Sequence, residues 1–191
     1  MDSSYFTNPL VFLVEIIFGA YALIVMLRFL LQWVRADFYN PLSQFIVKAT
    51  SPLLNPLRKV IPSLGGKDTA SLVLAWLVLS LEVLLILAFN GQGFQLPAAL
   101  ALAVPRLLDL VINVFLFSIL IQVILSWINP GTYNPAIGVI NSLTEPLLGP
   151  ARRVIPPLGG LDLSPMLVMI GLYLLKMLLI PPVEQLVLRL I

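Results

Sequence analysis

Sliding the chain along itself by 94 residues brings Leu31–Asp68 onto Leu125–Asp162 without a gap, and 19 of the 38 aligned positions are identical. The identities fall on punctuation residues that two unrelated oily helices would not share. Trp33 matches Trp127, Tyr39-Asn40-Pro41 matches Tyr133-Asn134-Pro135, and Pro52-Leu53-Leu54 matches Pro146-Leu147-Leu148. Val60-Ile61-Pro62 and Leu64-Gly65-Gly66 recur as Val154-Ile155-Pro156 and Leu158-Gly159-Gly160. Any fold for this chain must therefore build one unit twice, over residues 1–94 and 95–191.

Each unit is mostly hydrocarbon. Hydrophobic residues make up 60% of the chain, charged ones only 10%, and the mean hydropathy is +1.03. A water-soluble fold of this size cannot hide so many apolar side chains, so its outer surface must face lipid. Four apolar runs, about residues 9–34, 71–89, 104–128 and 165–183, are long enough to cross a hydrocarbon core of about 30 Å as helices. The expected fold is an all-α membrane protein: four transmembrane helices as two helical-hairpin repeats. Each repeat holds an even number of spans, so the two copies enter the membrane in the same direction. They are parallel repeats, expected to be related by an approximate two-fold axis along the membrane normal.

Charge sets the expected orientation. Arg35, Lys48, Arg58, Lys59 and Lys67 lie between spans one and two, and Arg152 and Arg153 between spans three and four; the N-terminus and the Asn90–Gln95 connection carry no Lys or Arg. The positive-inside rule places both long connections in the cytoplasm and both chain ends outside, against a weaker opposing signal from Arg106 and Arg189. Met1–Asn8 has no basic residue, so the first apolar segment is expected to stay in the protein rather than leave as a signal peptide.

Each long connection contains its own pattern. Asn40-Pro41 and Asn134-Pro135 read as a helix N-cap followed by a first-turn proline. Apolar residues then recur at Leu42, Phe45, Ile46 and Ala49, and at Ala136, Val139, Ile140 and Leu143. Both segments are expected to be short amphipathic helices lying in the membrane interface. Pro52, Pro56 and Pro62, like Pro146, Pro150 and Pro156, are expected to cut the following stretch into turns, and the Gly-Gly pairs to reverse the chain into the next span.

These repeated elements resemble the YggT family, also called YlmG, of bacterial and plastid membrane proteins, and the likeness covers essentially the whole chain. The second copy carries the family pattern as Thr144-Glu145-Pro146-Leu147-Leu148, Arg152-Arg153-Val154-Ile155-Pro156-Pro157 and Gly159-Gly160-Leu161-Asp162-Leu163-Ser164-Pro165. The first copy departs from it: Ser51 stands where the second has Glu145, and Thr69-Ala70-Ser71 follows Asp68. The resemblance implies a small protein of the bacterial inner membrane serving osmotic-stress tolerance and potassium homeostasis. A second implication is a scaffold for membrane-protein maturation or cell division, since plastid relatives serve cytochrome b6 maturation.

Ionisable residues inside spans are costly and mark candidate sites, and here they are Glu15, Arg28, Glu82, Asp109 and Lys176. Glu15 and Asp109 are equivalent by the 94-residue shift; they either frame an outer cation vestibule or reach headgroups and neighbouring helices. Glu82 and Lys176 are equivalent too, about 11 residues or roughly 16 Å into their spans, and equal depth suggests an ion pair joining the halves. Arg58-Lys59 and Arg152-Arg153, with Glu145 and Asp162, form a basic platform suited to anionic lipid headgroups or a protein partner, or serve only as a topology signal. Trp33 and Trp127 read as interface anchors, and Gln122, Ser118, Ser126 and Asn113 as hydrogen bonders between helices.

The chain has no Cys and no His, which removes disulfides, thiolate nucleophiles, imidazole bases and nearly all transition-metal sites. No cofactor is expected. The glycines before Asp162 lack a phosphate-binding lysine, and no enzymatic activity is expected. A net charge of +2 without a basic stripe argues against nucleic acid as a partner. The bilayer itself, a second copy or another membrane protein are the expected partners.

Overall fold

A computed structural model describes residues 4–128, 134–155 and 162–191, which form six helices. They are α1 (Ser4–Trp33), α2 (Pro41–Val60), α3 (Thr69–Phe89), α4 (Leu96–Ile128), α5 (Pro135–Val154) and α6 (Ser164–Leu190). Four of them, over Thr7–Trp33, Thr69–Phe89, Leu96–Ile128 and Ser164–Leu190, are long and apolar enough to cross a membrane. Two runs outreach their expected bounds by the most. Helix α4 starts eight residues earlier and carries Pro105 within it, and α6 runs seven residues further through Pro181 and Pro182. The added turns of α6 carry Glu184 and Arg189, which interrupt its apolar run.

The spans touch in the order α1, α3, α4, α6, with a smaller contact between α1 and α4. Ala22, Val25, Met26 and Leu30 of α1 are fully covered, and they share the core with Leu74, Ala75 and Leu79 of α3 and Leu54 of α2. A two-fold relation would require α6 to meet α1 wherever α3 meets α4. Among the described residues α1 and α6 do not touch, so the two repeats are joined head to tail.

The amphipathic helices are longer than the prolines suggested. Pro52 and Pro56 lie inside α2, and Pro146 and Pro150 inside α5. In α2 the buried residues Ser43, Ile46, Thr50 and Leu54 form one stripe, and both prolines lie on the opposite, exposed side. A proline leaves the carbonyl four residues earlier without its helical bond. On that side the orphaned carbonyls of Lys48 and Pro52 can be solvated, so the helix continues. Helix α5 repeats the arrangement, with Val139, Leu143 and Leu148 buried and its prolines exposed. Leu42, Phe45 and Leu53 stay exposed on α2, as an interfacial helix bordering lipid requires.

Both starts are capped as the sequence implies. The Asn40 side-chain oxygen accepts from the Leu42 amide at 2.9 Å, and Asn134 accepts from Ala136 at 2.9 Å. Between α2 and α3 the chain reverses through Gly65 and Gly66, both at positive φ (60° and 74°), a conformation that only glycine adopts freely. Tyr133, Pro156, Gly159 and Gly160, which the sequence places in the second copy's motif, lie outside the described residues.

Candidate functional site

Three polar constellations interrupt the hydrocarbon. The first sits where α2 and α5 return to the spans. Arg58, in the last turn of α2, donates from Nη2 to Asp68 Oδ2 and from Nε to Oδ1 at 3.3 Å, while Ser71 Oγ donates to Asp68 at 2.5 Å. The second repeat builds the same clasp. Arg152 Nε donates to Asp162 Oδ2 at 2.9 Å, and Ser164 caps Asp162 with its backbone amide at 2.9 Å and its hydroxyl at 2.6 Å. Arg152 also donates to Glu145 at 2.9 Å, a contact the first copy lacks because Ser51 replaces the glutamate. Burial works against ionisation of Asp68, but hydrogen bonds from Arg58 and Ser71 outweigh it and hold its carboxyl below the usual range. Asp162 is lowered on the same balance, burial opposed by Ser164 and Arg152. The motif residues Glu145, Arg152 and Asp162 are thus one clasp tying the end of the amphipathic helix to the start of the next span. Lys59 and Arg153 lie exposed beside it and make no ion pair among the described residues.

The second constellation ties the first span of each repeat to its amphipathic helix. Arg28 is buried, and its Nη1 donates to Thr50 Oγ1 at 2.6 Å, to the Val47 carbonyl at 3.0 Å and to Ser51 at 3.2 Å. Its counterpart is Gln122, whose amide oxygen lies 2.5 Å from the hydroxyl of the fully buried Thr144. One structural job is done by a cation in one copy and a neutral amide in the other. Thr144 was legible as a motif residue, whereas Thr50 was not; its identity with Thr144 under the 94-residue shift was the available signal.

The third constellation corrects the expected pairing. Glu82 and Lys176 do not meet, because they lie on α3 and α6, and α4 stands between those helices. Instead Glu82 Oε1 accepts from Arg106 Nη1 at 2.5 Å. Lys176 Nζ lies 2.8 Å from Asp109 Oδ1 and donates to Asn113 at 2.9 Å, while Asn113 donates to the other Asp109 oxygen at 2.9 Å. The expected Glu15/Asp109 vestibule is not assembled either. Asp109 is held by Lys176, and Glu15 faces Glu82 closely enough to repel its charge. Each acid therefore confronts the second helix of its own repeat. In the second repeat that pair is Asp109 with Lys176; in the first it is Glu15 with Glu82, and Arg106 from the next repeat supplies the missing cation.

Three recesses accompany these groups, one of them, of about 410 Å³, beside Gln122, Arg152 and Asp162. An apolar cleft of about 470 Å³ lies between α1 and α4, walled by Leu23, Leu27, Val114 and Phe117 and closed at one end by Leu42 and Val139. A recess of about 270 Å³ near the short-loop end is lined by Val83, Leu102, Arg106, Asp109 and Glu184.

The geometry repeats as the sequence does, and the family comparison repeats with it: the CCB3/YggT profile matches residues 7–89 and again 101–183, two segments offset by the same 94 residues. The chain belongs to the CCB3/YggT family. An uncharacterised protein of Pseudomonas aeruginosa is 50% identical over 89% of this chain and 87% of its own length. A Vibrio alginolyticus protein encoded beside proC is 44% identical over 86% and 90%, and the YggT protein of Escherichia coli K12 is 37% identical over 89% and 88%. No solved structure matches the chain. Family membership thus agrees with the two-copy architecture and the four apolar spans.

Proposed function

We propose that this CCB3/YggT protein is a non-enzymatic scaffold of the bacterial inner membrane that seats an apolar segment of another membrane protein. The carrying observation is the cleft between α1 and α4. Its walls are almost wholly apolar, Gly19 and Ala20 leave room for close approach, and the amphipathic helices close its floor. Helix association within lipid relies on such packing against small residues rather than on hydrophobic transfer. The carboxylates inside the spans support the same reading: the buried Glu82 and the part-exposed Asp109 are each matched by a cation, which suits a fixed frame better than an ion path. The connectors face the cytoplasm in this proposal, where Lys59, Arg153 and their neighbours meet anionic headgroups.

The test places a photo-crosslinking residue at Leu23 or Phe117 in native membranes. A discrete adduct with another membrane protein is expected at both positions. Adducts with lipid alone, at both, would refute the scaffold.

A second reading, service in osmotic or potassium homeostasis through a cation pathway, draws on the recess beside Arg106, Asp109 and Glu184. Purified protein in liposomes tests it. Potassium or sodium flux that Asp109→Asn alters supports that reading, and silence at several protein densities sinks it.

A further inference from the structure

We infer that a second copy of this chain docks its α1 against the exposed face of α6, repeating between molecules the seam that α3 and α4 form within one.

The seam between the repeats is asymmetric, as a head-to-tail joint must be. It uses the α3 side of the first repeat and the α4 side of the second, which leaves an unused α6 side and an unused α1 side on every molecule. Comparing equivalent positions separates a lipid-facing surface from an unfilled seam. Leu81 on α3 is 45% exposed and its counterpart Leu175 on α6 is 48% exposed, so that direction faces lipid in both repeats. Val83, which lines the recess against α4, is 3% exposed, yet its counterpart Met177 is 59% exposed. Trp76, which donates to the Leu100 carbonyl across the seam, corresponds to Ile170, 50% exposed. On the receiving side, Leu102, Pro105 and Arg106 of α4 correspond to Asn8, Val11 and Phe12 of α1, and Phe12 lies open.

The connector layer makes the same statement independently. The buried Asn40 caps α2 with its oxygen and crosses the seam with its Nδ2, which donates to the Pro135 carbonyl at the head of α5. Asn134 caps α5 identically but is exposed, and no acceptor faces its Nδ2 among the described residues. Carried one repeat onward, its acceptor is the Pro41 carbonyl of the next copy. Charge agrees as well. The internal seam needs Arg106 because Glu82 has only Glu15 beside it, whereas Lys176 is already satisfied by Asp109. Phe12 at the position equivalent to Arg106 therefore strands nothing.

The chain has no cysteine, so introduced pairs report cleanly. In full-length protein in its native membrane, Asn8→Cys with Met177→Cys is expected to give covalent dimers or larger species with a short bismaleimide. The internal equivalent, Val83→Cys with Leu102→Cys, is expected to link within one chain and leave its gel mobility that of a monomer. Asn8→Cys with Leu175→Cys, the lipid-facing direction, is expected to link at least tenfold less. Equal linking from Met177 and Leu175 would mean random collision and overturn the inference. So would monomers throughout when unmodified protein is extracted in native lipid discs and counted molecule by molecule.

Discussion

Replacing Arg106 by leucine tests the charge arrangement most directly, because it removes the cation that the seam offers to Glu82. The carboxylate is then left 7% exposed beside Glu15. Breaking a buried ion pair typically costs about 3–5 kcal/mol. Two effects lower that here. Arg106 is itself 39% exposed, so part of its attraction is already screened. Glu82 can also be neutralised by a proton, which limits the penalty. Arg106→Leu is therefore expected to destabilise by about 1.5–3 kcal/mol. The reverse change is cheaper: with Glu82→Gln, the exposed guanidinium can turn to water or headgroups, for a loss under about 1 kcal/mol. The double variant is expected to match Glu82→Gln to within about 0.5 kcal/mol. Equilibrium unfolding in mixed micelles, followed through Trp33, Trp76 and Trp127, gives all four values. An Arg106→Leu protein as stable as the parent would refute the reasoning, and so would one that Glu82→Gln fails to rescue.

Arg28→Gln, which copies the second repeat's Gln122, is expected to cost no more than about 1 kcal/mol, while Arg28→Leu removes the donor shared by Thr50, Ser51 and the Val47 carbonyl and costs about 1–3 kcal/mol by the same unfolding assay. Asp68 and Asp162 have depressed pKa values, so their contribution to stability is complete above about pH 4 and is lost as pH falls through the lower folded values. Asp68→Asn with Asp162→Asn should flatten the acid limb of the stability profile, and an unchanged limb would count against the clasps. Gly66→Ala, at φ 74°, is expected to destabilise by about 1–2 kcal/mol in thermal unfolding, whereas Gly19→Ala, which has open space around it, should be nearly neutral.

Periodicity and punctuation carried most of the fold. The four spans, the asparagine caps at Asn40 and Asn134, and the reversal at Gly65-Gly66 are local features, each decided by a few adjacent residues. Pro52 and Pro56 misled for a physical reason. A proline's cost depends on whether its freed carbonyl can be solvated, and that depends on which face of α2 it occupies, a property of packing rather than of sequence. The ion pairs misled for a related reason. Position along a span gives depth, and Glu82 and Lys176 do share a depth. Which helix stands between them is set by the order α1, α3, α4, α6, and nothing in the spacing of charges reports that order. By its position in the sequence Arg106 is only a topology signal near a span end; its partner follows from α4 beginning at Leu96 and lying against α3.

The borrowed cation on α4 bears on how the protein enters the bilayer. Synthesis delivers Glu15 and Glu82 to the membrane before Arg106 exists, so the emerging first hairpin carries two acids without a partner, at a cost of a few kcal/mol for an intramembrane charge. Its commitment to the lipid phase is expected to wait for the third helix. A chain halted after Asn90 should integrate poorly, and Glu82→Leu in that halted chain should restore integration; efficient integration without the change would show that the first half needs no help from the second.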